Sequence, residues 1–320
     1  MEELYFISGG TGLIGRPIVR RLIQDSKSRN IKRITLLTRN ITRFVDRFPD
    51  IGNHDIVNLI EGDVVDSIQE RGIYTDIIHA ACEVNDKHIS NKLVYAESIV
   101  SATRNMLDLA VNVGAKRFLY VSSGAVYGEY NDSTFSEDAT TAPKTNSYRD
   151  AYGHAKRYSE FLCTAYYHQY NLNCKIARIF TVIGEEVPLD GQYAVGNFIR
   201  DAISNKEIIE VKGNGTAIRS YLHVNDVAEW LLAILRHGEP LQLYNVGSCM
   251  GVSIKDLAYQ VRDIVAPNKE VRILKNIDKN SIEPPYLPDC SKVINELGVT
   301  EKISLIESLN LIKDATKNPK

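Results

Sequence analysis

Cysteine is scarce in this 320-residue chain: there are 5, Cys82, Cys163, Cys174, Cys249 and Cys290, and no two form a C-x-x-C pair. An odd, widely spaced set excludes a disulfide framework, a zinc knuckle and a dithiol redox motif, and reads as the reduced thiols of a cytoplasmic protein. Excess charge is missing too. The formal net charge is -2, with acidic and basic residues interspersed, which leaves no electrostatic footprint for nucleic acid and no polybasic surface for a membrane. Long hydrophobic runs are equally absent. No stretch approaches the about 18 uncharged apolar residues of a membrane-spanning helix, and Met1-Glu2-Glu3 has none of the basic character of a signal peptide. His, Asp and Glu nowhere cluster in a way that suggests a metal, and neither repeats nor low-complexity tracts occur. A hydrophobic fraction of 44% still suffices for a large core without covalent staples.

What is present is an alternation. Apolar runs at residues 4–8, 33–38, 57–60, 76–80, 117–122 and 175–180 read as buried strands, while residues 13–25, 92–113 and 152–170 carry apolar side chains at helical spacing. Strand, helix, strand repeated in this way implies right-handed crossovers and an α/β fold of the Rossmann type, a doubly wound parallel sheet. After Phe180 the texture changes to polar, glycine-rich loops, with helices at 195–203 and 227–235, short strands near 208–212 and two late helices. We expect a first domain over residues 1–180, to which residues of about 220–255 return, and a smaller α/β substrate domain made mainly from 181–320.

The first strand runs into Gly9-Gly10-Thr11-Gly12-Leu13-Ile14-Gly15 and then a helix. In that context the glycines have a physical reading: Gly9 permits unusual backbone angles, Gly12 lets the chain approach a pyrophosphate, and Gly15 lets helix and strand pack closely. The helix start, with Leu13 and Ile14 in its first turn, then presents free N–H groups and a positive dipole end to phosphate. A dinucleotide is the expected ligand; glycines serving only a tight turn are the alternative. Further on, Tyr152 and Lys156 stand four apart, on one face of a helix. Chance alone supplies about one Tyr-x-x-x-Lys pair in such a composition, so the pair gains weight from its place, 29 residues after Ser123 on the helix following the fifth strand. An ammonium beside a phenol favours the phenolate and lowers a pKa that starts near 10.

The glycine spacing is G-x-x-G-x-x-G, and with it the chain resembles the extended short-chain dehydrogenase/reductase family, in particular its nucleotide-sugar epimerase/dehydratase/reductase branch. Gly62-Asp63-Val64, His79-Ala80-Ala81, Ser122-Ser123-Gly124-Ala125-Val126-Tyr127-Gly128, Tyr152-Gly-His-Ala-Lys156, Arg219-Ser-Tyr-Leu-His-Val-Asn-Asp226 and Tyr244-Asn-Val-Gly-Ser248 follow in family order. The resemblance implies that Asp63 and Val64 meet the adenine, that Ala80 and Ala81 border the dinucleotide, and that Lys156 reaches the nicotinamide ribose. It also implies one reaction core: hydride passes between nicotinamide C4 and a sugar carbon, Tyr152 moves the proton on that carbon's oxygen, and Ser123 bonds to the same oxygen.

The second strand ends Leu36-Leu37-Thr38-Arg39-Asn40, with Arg43 following and no carboxylate for ribose hydroxyls. A guanidinium there can fork onto a 2'-phosphate, so NADP(H) is favoured, with NAD(H) kept open; Arg39 stacking on adenine or pointing to solvent is the competing reading. Dehydratases and glucuronate decarboxylases of this family carry a carboxylate just before Val-Tyr-Gly, where this chain has Gly124-Ala125. Neither residue can return a proton for water elimination, which argues against both activities. The reading adopted is a reductase of a nucleotide-linked 4-keto-6-deoxyhexose; a nucleotide-sugar 4-epimerase holding NAD tightly is the alternative, and a catalytically idle cofactor-binding regulator is a third.

For the nucleotide-diphosphate sugar, the resemblance points to Arg219 at phosphate or ribose, to Asn197 and Phe198 beside the base, and to Ser123 and Thr181 at the sugar. Thr181 stands where the family often has Asn, Glu185 where Pro is common, and Ile99 replaces an Asn before Thr103. His79, Cys82 and Trp230 are read as packing residues, and Tyr148 has no lysine partner of the kind Tyr152 has in Lys156. The helices at 92–113 and 152–170 are apolar on more than one face, and in this family such helices pair across a two-fold axis, so a homodimer is expected.

Overall fold

The computed structural model describes residues 2–82, 91–129, 134–189, 193–276 and 284–317. Six strands of the first half, Glu3–Ser8 (β1), Ile31–Thr38 (β2), Val57–Glu61 (β3), Asp76–His79 (β4), Arg117–Ser123 (β5) and Cys174–Ile179 (β6), pair in parallel. The helices that return the chain between them are Gly15–Arg29 (α1), Ile41–Arg47 (α2), Pro49–Gly52 (α3), Lys92–Asn112 (α4) and Ala151–Tyr170 (α5). Period-two alternation sorts the sheet's side chains onto two faces. Tyr5 and Ile7 of β1 pack with Ile18, Val19 and Leu22 of α1, whereas Phe6 between them packs with Met106 and Leu107 of α4 and Leu162 of α5. Covered on both sides, β4 and β6 are buried throughout, their polar residues Asp76, His79, Lys175 and Arg178 included. The helices α1 and α5 end at Asn30 and Asn171, both in the left-handed region at φ 56 and 54.

The second half contributes Val182–Ile183 (β7), Ala194–Ile203 (α6), Ile208–Val211 (β8), Ile218–Ser220 (β9), Leu222–His223 (β10), Val224–His237 (α7), Leu243–Val246 (β11), Gly251–Ser253 (β12), Ile254–Val265 (α8), Glu270–Ile273 (β13), Ser291–Leu297 (α9) and Leu305–Lys317 (α10). Of these, β11 pairs with β6 and extends the sheet to seven strands in the order β11-β6-β5-β4-β1-β2-β3, and α7 buries Val227, Leu231 and Leu235 on the face that α1 covers. A separate apolar cluster joins α6, α8, α10, β8 and β13. Among the described residues three helices follow α7, where the periodicity suggested two. The seven-residue α9 buries only Val293 and stops at Gly298, φ 65, too short to show a helical repeat.

Candidate active site

In the sheet order, β1 has β2 and β3 on one side and β4, β5 and β6 on the other. Loops leaving the carboxyl ends of β1 and β4 therefore diverge and open a crevice, the place where such sheets bind ligands. The crevice is a cavity of about 480 Å³ lined by Gly9, Gly12, Thr38, Arg39, Asp63, Val64, Ala80 and Ala81 among others.

Its floor is the glycine loop. Gly9 has φ +77, and a Cβ there would overlap the backbone at Ala80 and Ala81; a Cβ at Gly15 would overlap the Gly9 carbonyl oxygen. The close approach that Gly15 permits is thus to the loop itself. Gly12 differs, since a Cβ would come no nearer than 3.2 Å to any other atom, the Gly9 carbonyl oxygen, so its missing side chain leaves room on the cavity side. Leu13 and Ile14 form the turn before α1. Ile14 makes no side-chain cap and no acidic residue occupies the first turn, which leaves the helix start suited to an anion. The cradle fits a dinucleotide pyrophosphate.

At the end of β2, Thr38 is buried and Arg39 exposed on the rim, while Asn40 caps α2 by accepting from the Arg43 amide at 2.7 Å. The linear reading found no carboxylate at this strand end. Strand pairing places one beside it: Glu61 sits opposite Thr38, its Oε2 3.3 Å from the Ile41 amide. Asp63 accepts from the Val65 amide at 3.2 Å, a turn rather than a helix cap, and Asn105 of α4 donates to the carbonyls of Val64, Val65 and Asp66 at 3.0, 2.9 and 2.9 Å. That amide pins the loop that carries Asp63 and Val64.

His79 is buried below the crevice, Nδ1 2.7 Å from Ser8 Oγ and Nε2 3.2 Å from Thr103 Oγ1. Burial first, and the Lys156 charge second, push its pKa down to about 3. It is neutral near pH 7.

Ser123 ends β5, and its Oγ accepts from the Ala125 amide at 3.2 Å, opening a 3-10 turn over Gly124–Tyr127. Gly153 of α5 lies against this turn, so close that a Cβ would stand 2.5 Å from the Ala125 carbonyl oxygen. That approach brings Tyr152 to Ser123. Burial raises the Tyr152 phenol well above its ordinary value, while the Lys156 charge and the Ser123 hydroxyl pull it down. Lys156 is 3% exposed, donates from Nζ to the Val121 carbonyl at 2.9 Å, and places that atom 5.0 Å from the centre of the Tyr120 ring and 5.9 Å from that of Tyr152.

Several supporting residues escaped the linear reading. Tyr95 of α4 stacks on Tyr152, centroids 6.2 Å apart and planes 15° from parallel. Ile99, one turn on, joins Tyr95, Ala155 and Cys82 in an apolar patch around Tyr152. Behind the site, Glu160 accepts from Arg178 Nη2 at 2.7 Å and from Ser122 Oγ at 2.6 Å, and Arg178 lies 4.6 Å from the centre of the Tyr127 ring. Glu160 stands four residues after Lys156 on the same helix, a spacing that could have flagged it.

The residues expected at substrate are more dispersed. Thr181 is half-buried and its carbonyl accepts from the Leu222 amide at 3.2 Å. Arg219 on β9 donates to the Ile218 carbonyl at 2.8 Å and lies 5.6 Å from the centre of the Tyr286 ring. Asn197 Oδ1 accepts from Arg200 at 3.0 Å, and the Phe198 ring is buried in the apolar cluster of α6 and α8. Glu185 Oε2 is 3.3 Å from His223 Nε2, whose presence lowers the carboxyl's pKa. Trp230 is core, 2% exposed, and donates to the Thr300 carbonyl; the Tyr148 hydroxyl accepts from the Lys92 backbone amide at 3.1 Å. Among the described residues no group of three His, Cys, Asp or Glu could hold a metal, and no helix is long and apolar enough to cross a membrane.

Comparison with known proteins agrees with this architecture. UDP-glucuronic acid decarboxylase 6 of Arabidopsis thaliana is 29% identical, over 96% of this chain and 87% of its own length. UDP-glucose 4-epimerase of Thermotoga maritima superposes with a TM-score of 0.82 at 20% identity, covering 98% of both chains. The dTDP-glucose 4,6-dehydratase DesIV of Streptomyces venezuelae, solved with NAD, superposes with a TM-score of 0.83 at 21% identity over 98% of this chain and 97% of its own. The family described as NAD dependent epimerase/dehydratase matches residues 5–247. With a match across most of its length and the glycine cradle in place, this chain belongs to the NAD-dependent epimerase/dehydratase family, the extended short-chain dehydrogenase/reductase type.

Proposed function

We propose that the protein is an oxidoreductase of nucleotide-linked sugars, and specifically an NADP(H)-using reductase of a 4-keto-6-deoxyhexose. The observation that carries this reading is the grouping of Ser123, Tyr152 and Lys156, with Tyr152 packed against Tyr95, Ile99 and Cys82, which line the crevice. Bound along the glycine loop, the dinucleotide supplies or takes up hydride. In reduction, Ser123 bonds the sugar's carbonyl oxygen, and Tyr152, kept protonated by burial, gives that oxygen its proton as the carbon becomes tetrahedral. Lys156 stabilises the phenolate that results. The absence of any acid or base at Gly124 and Ala125 argues against water elimination, and we extend that argument to decarboxylation despite the names of the curated relatives. Arg39, exposed on the rim, suits a 2'-phosphate.

A second reading is a 4-epimerase with tightly held NAD, and Glu61 favours it, since a carboxylate opposite Thr38 suits free ribose hydroxyls. We assign the dinucleotide to residues 1–180 together with α7 and β11, the nucleotide of the sugar to the α6–α8 cluster with Arg219, and a two-fold dimer to α4 and α5, where Leu93, Val94, Tyr158 and Phe161 are exposed.

The deciding experiment identifies by mass the dinucleotide released from denatured protein, then titrates the emptied protein with NADPH and NADH. An empty site preferring NADPH, with NADPH oxidised in the presence of dTDP-4-keto-6-deoxyglucose, supports the reductase. Stoichiometric NAD, with UDP-glucose and UDP-galactose interconverted, moves the epimerase first. A monodisperse monomer at micromolar concentration would remove the dimer.

A further inference from the structure

The chain's thiols are not equivalent. Cys249 is exposed on the loop after β11, and Cys290 is buried just before α9; both are free. The two backbones run against each other here. A Cβ at Gly247 would stand 2.8 Å from the Pro288 ring, Asn245 donates to the Asp289 carbonyl at 3.1 Å, and Cys290 Sγ is 3.2 Å from the Gly247 carbonyl oxygen. On the far side of the loop, a Cβ at Gly251 would stand 3.1 Å from Leu287. Cys249 is thus held between two points of contact with residues 287–290, and its Sγ accepts hydrogen bonds from the Cys290 thiol and the Cys290 amide. These bonds favour the thiolate and bring the Cys249 pKa down to about 6. The Cys290 thiol, bonded to that sulfur and buried, is pushed far up and keeps its proton.

We propose that Cys249 and Cys290 form an oxidation site, which hydrogen peroxide converts to a disulfide that clamps the loop after β11 to the segment before α9. The Cys249 thiolate attacks one peroxide oxygen, the O–O bond breaks, and with one proton taken up the products are a sulfenic acid and water. The Cys290 sulfur then attacks the Cys249 sulfur, the S–O bond breaks, and hydroxide leaves with the Cys290 proton as a second water. Two electrons pass from the two thiols to peroxide. The sulfurs have only to close from hydrogen-bond contact to about 2 Å, and the loop that must follow faces solvent, with Met250 76% exposed. Cys163 and Cys174 also bond to each other, but both are fully buried, out of the oxidant's reach.

The test exposes the full chain to hydrogen peroxide at about pH 7, where the Cys249 thiolate is abundant, then unfolds it, blocks the remaining thiols with iodoacetamide and maps the peptides by mass without reduction. The expected result is that the Cys249 and Cys290 peptides are joined, short of both thiol hydrogens and released by dithiothreitol, while Cys163 and Cys174 are alkylated. In Cys290→Ser the sulfenic acid has no resolving thiol, so dimedone should label Cys249 about tenfold more than in wild type; in Cys249→Ser, Cys290 should stay a thiol. Amide exchange over residues 284–291 should slow by about tenfold in oxidised wild type and in neither variant. An unreacted Cys249, or one oxidised without joining Cys290, overturns the proposal. So does a bond between Cys163 and Cys174 formed as readily, because it would show that unfolded chains are being oxidised. A joined pair with unchanged exchange over residues 284–291 overturns the clamp. The nucleotide-sugar reading stands apart from all of these outcomes.

Discussion

The ammonium of Lys156 lies 5.9 Å from the centre of the Tyr152 ring, one helical turn away on α5, and is anchored from the other side by the Val121 carbonyl at 2.9 Å. Lys156 opposes the burial that raises the Tyr152 phenol. Replacing Tyr152 by Phe should lower kcat about 10²- to 10⁴-fold and leave dinucleotide affinity within about twofold. In Lys156→Met the opposing charge is gone, so the phenol pKa rises further. The oxidative direction, which needs phenolate, then moves its pH profile to higher pH. An unmoved profile would show that Lys156 does not tune Tyr152.

Arg39 stands exposed at the rim where β2 ends. If it forks onto a 2'-phosphate, Arg39→Asp should lose about 10- to 100-fold in NADPH affinity, the range of a charge-assisted hydrogen bond, with NADH affinity unchanged or higher. Fluorescence titration of both dinucleotides reads this directly. Parallel changes in the two affinities would leave Arg39 no part in selecting the cofactor.

Gly15 is backed by the Gly9 carbonyl and the Gly10 Cα. A methyl group there must push the loop off the cavity floor. We expect Gly15→Ala to cost about 1–3 kcal/mol of stability and at least tenfold in dinucleotide affinity, measured by urea unfolding and by titration. Gly12→Ala, which has more room, should lose affinity with little loss of stability.

His79 links acidity to stability. A free histidine titrates near 6.5, and in the folded chain His79 does so at about 3. Between these values the unfolded chain binds a proton that the folded chain refuses. This contribution is therefore fully present above about pH 6.5 and is lost as pH falls, by up to about 1.4 kcal/mol per pH unit. In His79→Gln the dependence should flatten between pH 6.5 and 5, with some loss of stability at pH 8 from the altered bonds to Ser8 and Thr103. Equal slopes for the two proteins in urea unfolding would contradict the assignment.

Local geometry was legible from the residues alone. A strand's period of two and a helix's period of 3.6 are properties of a few consecutive residues, so the strands of the first half, the glycine loop with Gly9, Gly12 and Gly15, and the shared face of Tyr152 and Lys156 could be read directly. The alternation of short apolar runs with stretches of helical periodicity determined that the chain would bury a parallel sheet under helices. Tertiary structure alone decided which distant residues meet. Glu61 comes beside Thr38 through parallel pairing, Tyr95 stacks on Tyr152 because α4 packs along α5, and Arg178 of β6 reaches Glu160 of α5. Tyr286 fills the space that Gly124 leaves vacant. None of these contacts has a fixed sequence spacing. Each depends on the sum of packing over the whole domain, which no window of neighbouring residues contains.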